Sequence, residues 1–297
     1  MASSGTIASL IPSGTDIVAA LGLADRLVGV SHECDHAIAS GRPVLTSSSL
    51  SRSSSAAEID AAVSASVASG DSLYRTDRAA LHRLRPDVVL SQDVCDVCAV
   101  NGEVARGDVP DGTDLVMLTA VRLHDLWDDL RRVGRATGAT GAAEEVIATA
   151  RAALDATRVA LADVPRRRVV ALDWGDPPYA AGHWVPDLID VAGGTDLLAT
   201  SDPMSRRITW QEIERAAPDV VLFLPCGYSL GQAASDAQGR WERRCTSIGA
   251  ELWALDATRL LSRCTPTAVT AAASALAGVL HPSVVGDPTE EDARRII

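Results

Sequence analysis

Arg85-Pro86-Asp87-Val88-Val89-Leu90 returns 132 residues later as Ala217-Pro218-Asp219-Val220-Val221-Leu222. In each copy a short helical pattern ends before the proline, and an aspartate introduces a run that is apolar at consecutive positions. That unbroken apolarity is the signature of a parallel strand covered on both faces. Working outward from the two copies, which read as strands over 87–91 and 220–224, the segments 7–10, 27–30, 115–118, 169–173 and 252–255 have the same character. Helical patterns lie between them, so the predicted class is α/β.

A second echo supports the first. Asp16-Ile17-Val18, leading to Gly22 and Asp25, matches Asp187-Leu188-Ile189, leading to Gly193 and Asp196, at an offset of 171. Each reads as a helix closed by a glycine. Two echoes in the same order predict two lobes of one design with mainly parallel sheets. The N-terminal lobe is placed at 1–120, a long helical connector at 121–163 and the C-terminal lobe at 164–297. In the connector, Leu123, Leu126, Leu130 and Val133 recur at three- and four-residue spacing. The run Thr137-Gly138-Ala139-Thr140-Gly141 is read as a break, after which helix resumes to Ala162. A helical connector makes a stiff body and not a flexible tether. The serine-rich tract 46–55 is read as a solvated loop before a helix starting near Ala56.

With 297 residues and 47% apolar composition, the chain has enough material for real cores. Its 39 acidic against 27 basic residues give a net charge of −12, which argues against a nucleic-acid partner. Every basic residue is arginine, and no lysine occurs. A Schiff-base lysine, a P-loop lysine and a kinase strand lysine are thereby excluded. No apolar run approaches the roughly 20 residues of a membrane span. The opening Met-Ala-Ser-Ser-Gly-Thr lacks a positive n-region, so a cytoplasmic protein is predicted. Its six cysteines are then read as thiols or metal ligands and not as disulfides.

In open parallel sheets, ligands bind beyond the carboxyl ends of the strands. Five cysteines follow strand ends: Cys34, Cys95, Cys98, Cys226 and Cys264. Cys245 does not. If the lobes face each other, these five line one cleft with His32, Glu33, Trp174, Tyr179 and His183. Cys95-x-x-Cys98 has the spacing with which two thiolates reach one zinc or iron–sulfur centre. The same two thiols also fit a helix start or a redox pair. His32 and Glu33 are the candidates for acid–base work, against a plainer histidine bonded to a loop carbonyl. Trp174, Tyr179 and Trp184 form a possible pocket wall in a chain that is 3% aromatic. Arg206-Arg207 reads as a solvated pair or as a contact for an anionic group. Ser13 has no base at motif spacing and is read as a helix cap.

The stretches Ser9-Leu10-Ile11-Pro12-Ser13-Gly14-Thr15-Asp16-Ile17-Val18 and Leu27-Val28-Gly29-Val30-Ser31-His32-Glu33-Cys34-Asp35 resemble the opening of substrate-binding proteins for cobalamin and iron–siderophore import. In that class two α/β lobes are joined by one long helix. The runs 92–100, Ala181-Gly182-His183-Trp184-Val185-Pro186 and Pro225-Cys226-Gly227 are similar to a cytoplasmic-type, cobalamin-binding branch. The resemblance implies a cobalamin-like corrinoid or metal chelate held in the interlobe cleft by a cytoplasmic carrier or store. The residues it assigns to the ligand are Ser13, Thr15, His32, Trp174, Tyr179, His183, Trp184 and Tyr228. The alternative reading is a metalloprotein or metalloenzyme in which Cys34, Cys95, Cys98, Cys226 and Cys264 hold zinc or an iron–sulfur cluster. Where the family pattern has a Ser-Arg-Pro-Gly-Pro-like turn, this chain has Ser262-Arg263-Cys264-Thr265-Pro266. A cytoplasmic place sits poorly with a permease partner.

Overall fold

The computed structural model describes residues 5–49, 58, 62, 65, 73–94 and 102–297. It divides into two compact units, Met1–Ala120 with His124–Ala148, and Val121–Leu123 with Thr149–Ile297.

In the first unit the strands are β1 (Ile7–Ser9), β2 (Leu27–Gly29), β3 (Thr46–Ser48), β4 (Tyr74–Thr76), β5 (Val88–Gln92) and β6 (Asp114–Leu118). Four of them form a wholly parallel sheet in the order β2-β1-β5-β6. Ile7, Leu10, Leu27, Leu81, Val89 and Leu90 are fully buried around it. The serine-rich tract departs from the loop expected of it, because its first three residues form β3, antiparallel to β4. Thr46 supplies the reason: it is buried. The remainder of the tract and the helix expected near Ala56 fall almost wholly outside the described residues.

The helix Leu126–Thr137 buries Leu126, Leu130 and Val133, the residues that predicted it. It stops at Gly138 in the left-handed region, φ +70°, and a second helix runs over Thr140–Ala160. Gly134 permits the turn between them, since a Cβ there would stand 2.7 Å from that of Ala143. Buried Asp129 accepts the backbone N–H groups of Thr119 (3.1 Å) and Ala120 (3.0 Å) just beyond β6. Burial pushes its carboxyl upward, opposed by those bonds and by Arg132.

The second unit carries β7 (Arg167–Gly175), β8 (Pro178–Ala180), β9 (Gly194–Asp196), β10 (Arg206–Arg207), β11 (Val220–Phe223), β12 (Glu251–Leu255) and β13 (Ala293–Arg295). Its parallel part has the order β9-β7-β11-β12. Antiparallel β8 and β10 extend it on one side and antiparallel β13 on the other. The core packs Phe223, Trp241, Leu172 and Val221.

The order β2-β1-β5-β6 thus recurs as β9-β7-β11-β12, and the sequence echoes occupy equivalent places. Arg85 (φ +45°) and Ala217 (φ +47°) both close a helix in the left-handed conformation before their prolines. Asp87 accepts the Thr6 N–H on its carboxylate (2.6 Å), returns its own N–H to Thr6 O (3.0 Å) and receives Asp114 N–H on its carbonyl (2.9 Å). Asp219 does the same with Arg168 (2.9 and 2.8 Å) and Glu251 (2.9 Å). In both units this aspartate ties the starts of three adjacent strands, which explains why it stands before the valines. The second echo ends alike, at Gly22 (φ +70°) and Gly193 (φ +74°).

Candidate functional site

In the first unit, the loops at the carboxyl ends of β1 and β2 hold the expected polar residues. The helix Pro12–Ala20 has Ile11 at its N-cap position and no capping side chain. Ser13 therefore lies within the first turn and is not the cap. Proline at the first position, whose missing N–H would have had no partner, starts the helix instead. Buried Thr15 has its hydroxyl 3.0 Å from Cys34 Sγ. His32 Nδ1 is 2.7 Å from Thr46 Oγ1, which in turn donates to Ser31 Oγ at 3.1 Å. On the other side of the ring, Nε2 is 3.4 Å from Glu33 Oε1. The Tyr74 ring lies 6.0 Å from that of His32. This is a carboxylate–imidazole–hydroxyl chain, but Thr46 and Ser31 are buried. Its chemistry is to orient and polarise the imidazole, since neither hydroxyl is presented as a nucleophile.

In the second unit the loops after β7 and β11 gather the aromatics. Trp174 pairs across the ladder with Tyr179. Its indole meets the Tyr228 ring edge-on, centroids 5.7 Å apart at 67°. Trp184 donates its indole N–H to Leu261 O at 3.0 Å, and its ring lies 5.6 Å from that of His183. His183 has φ +55° and donates its backbone N–H to Pro203 O. Ser205 joins the same loop to the strand, donating to the Asp173 carboxylate and accepting Gly182 N–H at 3.2 Å. Burial lowers the His183 pKa, and the Arg122 guanidinium lowers it further, so the imidazole is neutral near pH 7. Burial raises the Tyr228 phenol, with help from Asp236.

The cysteines occupy dissimilar places. Cys34 is half-buried and Cys226 exposed, whereas Cys245 and Cys264 are buried. Cys226 takes its N–H to Asp173 O (3.1 Å), and its thiol donates to Ser262 Oγ at 3.6 Å. Burial pushes the Cys245 thiol up to about 12. Among the described residues, no group of three or more His, Cys, Asp or Glu is placed to hold a metal ion. Cys95 and Cys98 lie outside the described residues. The cysteine-ligated zinc or iron–sulfur reading therefore gains no support. Arg206 does not stand on a solvated face alone: it is paired in β10 and bonds Glu212 at 2.9 Å. Arg122, Ser205, Thr46 and Tyr74 complete these clusters and were not picked out from the sequence. Each is distant along the chain from the residue it touches, and no local pattern marks it.

A family model described as periplasmic binding protein matches residues 7–240. The chain belongs to this family. The family expected from the opening motifs is thus the one found. Solved structures resemble this periplasmic binding protein family member over nearly its whole length. The vitamin B12 binding protein BtuF of Vibrio cholerae is 18% identical, with a TM-score of 0.67 over 92% of this chain and 95% of that one. A periplasmic heme binding protein from Pseudomonas aeruginosa is 19% identical, with a TM-score of 0.67 over 97% and 99%. The heme binding protein HutB of Vibrio cholerae is 15% identical, with a TM-score of 0.68 over 94% and 100%. At these identities the likeness is one of fold. No curated protein sequence matches the chain. As a family member the chain is a ligand-binding protein, and no helix of its described part is long and apolar enough to cross a membrane.

Proposed function

We propose that this chain binds a metal chelate of the corrinoid or porphyrin class on the loops at the carboxyl ends of its parallel strands. The observation that carries the reading is the aromatic group Trp174, Tyr179 and Tyr228, three of only ten aromatic residues, brought together where β7 and β11 end. Broad flat ligands are held by such surfaces, with a few polar groups setting orientation. His183 and Ser262 supply polar groups beside these rings. The relatives named for vitamin B12 and heme support the same ligand chemistry.

The test is incubation of the purified protein with aquocobalamin or with ferric protoporphyrin, followed by gel filtration. The expected result is a visible absorption band that elutes with the protein and is weakened by Trp174→Ala. Elution of both chelates wholly with the small-molecule fraction refutes the reading. A cytoplasmic carrier or store is our reading of its place of action, in keeping with an exposed thiol at Cys226. Recovery of the native protein from an exported fraction overturns that part alone.

A further inference from the structure

The two units part company at one sheet edge. In the second, β12 is flanked by β13, with Trp253, Ala254 and Leu255 opposite Arg295, Arg294 and Ala293. In the first, its counterpart β6 ends the sheet, and among the described residues no strand lies beyond it. The registers fix the equivalence: Val88 faces Asp114 as Val220 faces Glu251, so Leu115, Val116 and Met117 correspond to Leu252, Trp253 and Ala254. Asp114 donates its N–H to Asp87 O (2.9 Å) and Leu118 O accepts Asp93 N–H (3.1 Å), so positions 114, 116 and 118 bond inward to β5. The backbone groups of Leu115, Met117 and Thr119 therefore point outward. Their counterparts in β12 are met by the chain of β13: Leu252 O accepts Ile296 N–H at 2.8 Å, and Asp256 donates its N–H to Asp292 O at 3.0 Å. In the first unit the Asp129 carboxylate closes the Thr119 end alone, at 3.1 Å. Among the described residues, no backbone group bonds the outward N–H and C=O of Leu115 and Met117. The register of β6 has no bulge and its sequence no proline, two of the usual guards of an open edge.

We propose that the outer edge of β6 takes an extended, arginine- or lysine-bearing segment of another protein as an added antiparallel strand, in the register that β13 has on β12. Main-chain bonds to Leu115 and Met117 give such a strand its hold. Charge gives it its composition. Glu251, at the start of β12, is 2.8 Å from Arg167 and 3.6 Å from Arg295 of the added strand. Asp114 occupies the equivalent place, is exposed, and has no ion-pair partner among the described residues. A basic residue opposite Val116 reaches it diagonally, as Arg295 opposite Trp253 reaches Glu251. A second copy of this chain is the poorer occupant, because residues 107–121 contain no basic side chain to bring to Asp114 and each copy carries a net charge of −12.

The probe is the acetylated and amidated peptide Ala-Arg-Arg-Ile-Ile, the sequence of residues 293–297, labelled and titrated with the full-length protein at low ionic strength by fluorescence anisotropy. Saturable binding is expected. Met117→Pro removes an outward N–H and no bond to β5, a place where an edge strand accepts proline, and should weaken binding on the order of 10-fold. The same bond is removed from the other side by methylating the backbone nitrogen of the first arginine, which stands where Arg294 stands against Ala254. That peptide should bind on the order of 10-fold more weakly to the unaltered protein, so the test does not depend on the folding of a variant. Asp114→Lys should weaken the peptide about 3- to 10-fold at low salt and make no difference at high salt. Absence of binding up to about 1 mM peptide overturns the proposal. Binding that is indifferent to both Met117→Pro and N-methylation overturns it equally, since the peptide then lies elsewhere. Sedimentation showing a dimer of the protein alone that Met117→Pro dissociates assigns the edge to a second copy and overturns the choice of partner.

Discussion

Gly182→Ala tests the attachment of the 203–205 segment to the site loop. A Cβ at residue 182 would lie 2.6 Å from Pro203 O and closer still to Met204 C and Ser205 N, all backbone atoms with no side-chain freedom to yield. The segment must therefore lift. Lifting it breaks the bonds from His183 N–H to Pro203 O and from Gly182 N–H to Ser205 Oγ, and slackens that from Ser205 to Asp173. Two lost hydrogen bonds at about 1 kcal/mol each, with about 1–2 kcal/mol for overpacking, give about 3–4 kcal/mol. For a unit of this size that corresponds to a fall in Tm of about 8–12 °C. The assay is thermal unfolding followed by circular dichroism, with Gly231→Ala as control. Gly231 lies on an exposed helical face with nothing within 4 Å of an added Cβ, so alanine there should stabilise by about 0.5–1 kcal/mol. The same chemical change is thus expected to act with opposite sign at the two positions. A Gly182→Ala melt within a degree of the wild type would refute the reasoning.

Asp196 gives a pH prediction. Burial raises its carboxyl to about 6, opposed by the N–H groups of Leu198 and Ala199 and by Arg206. A raised acid is stabilising in full below its unfolded value, and that stability is lost as pH climbs through the folded value. Asp196→Asn, which keeps an acceptor for Leu198, should therefore raise the Tm at pH 7.5 by the equivalent of about 3 kcal/mol and make no difference near pH 3; an equal gain at both pH values contradicts this. Thiol labelling of the folded protein, mapped by peptide mass, should modify Cys226 readily and Cys245 only after unfolding, since Cys245 is buried with a thiol pushed up to about 12. Equal rates at these two positions would count against the assignment. Thr209 and Glu212 close a reciprocal capping box on the helix Trp210–Ala216. Thr209→Ala should cost about 1 kcal/mol in a denaturant titration, and an unchanged midpoint would show the cap to be idle.

Much of the fold was legible because its determinants are local. The apolar runs marked all seven expected strands, since a strand covered on both faces has to be apolar at every position. The aspartates of the repeated segment marked strand starts because one side chain there can tie two neighbouring backbones. Gly22, Gly138 and Gly193 marked helix ends through their left-handed backbone. Short antiparallel additions were not legible: β3, β4, β8, β10 and β13 have two or three residues each, too few for a periodicity to show. Thr46 looked like one polar residue in a serine tract, and only its neighbours reveal that it is buried against His32 and Ser31.

The sequence by itself determined the class of the fold, its internal repetition and the absence of lysine chemistry, because composition, periodicity and turn residues act over a few positions. Tertiary structure alone decided which polar groups meet. Burial lowers the His183 pKa and Arg122, 61 residues away in the chain, lowers it further, while Leu261 holds Trp184 across 77. Such contacts are set by which loops the parallel sheet returns to the same edge, and a desolvated imidazole or an indole bonded to a distant carbonyl leaves no trace in the residues on either side of it.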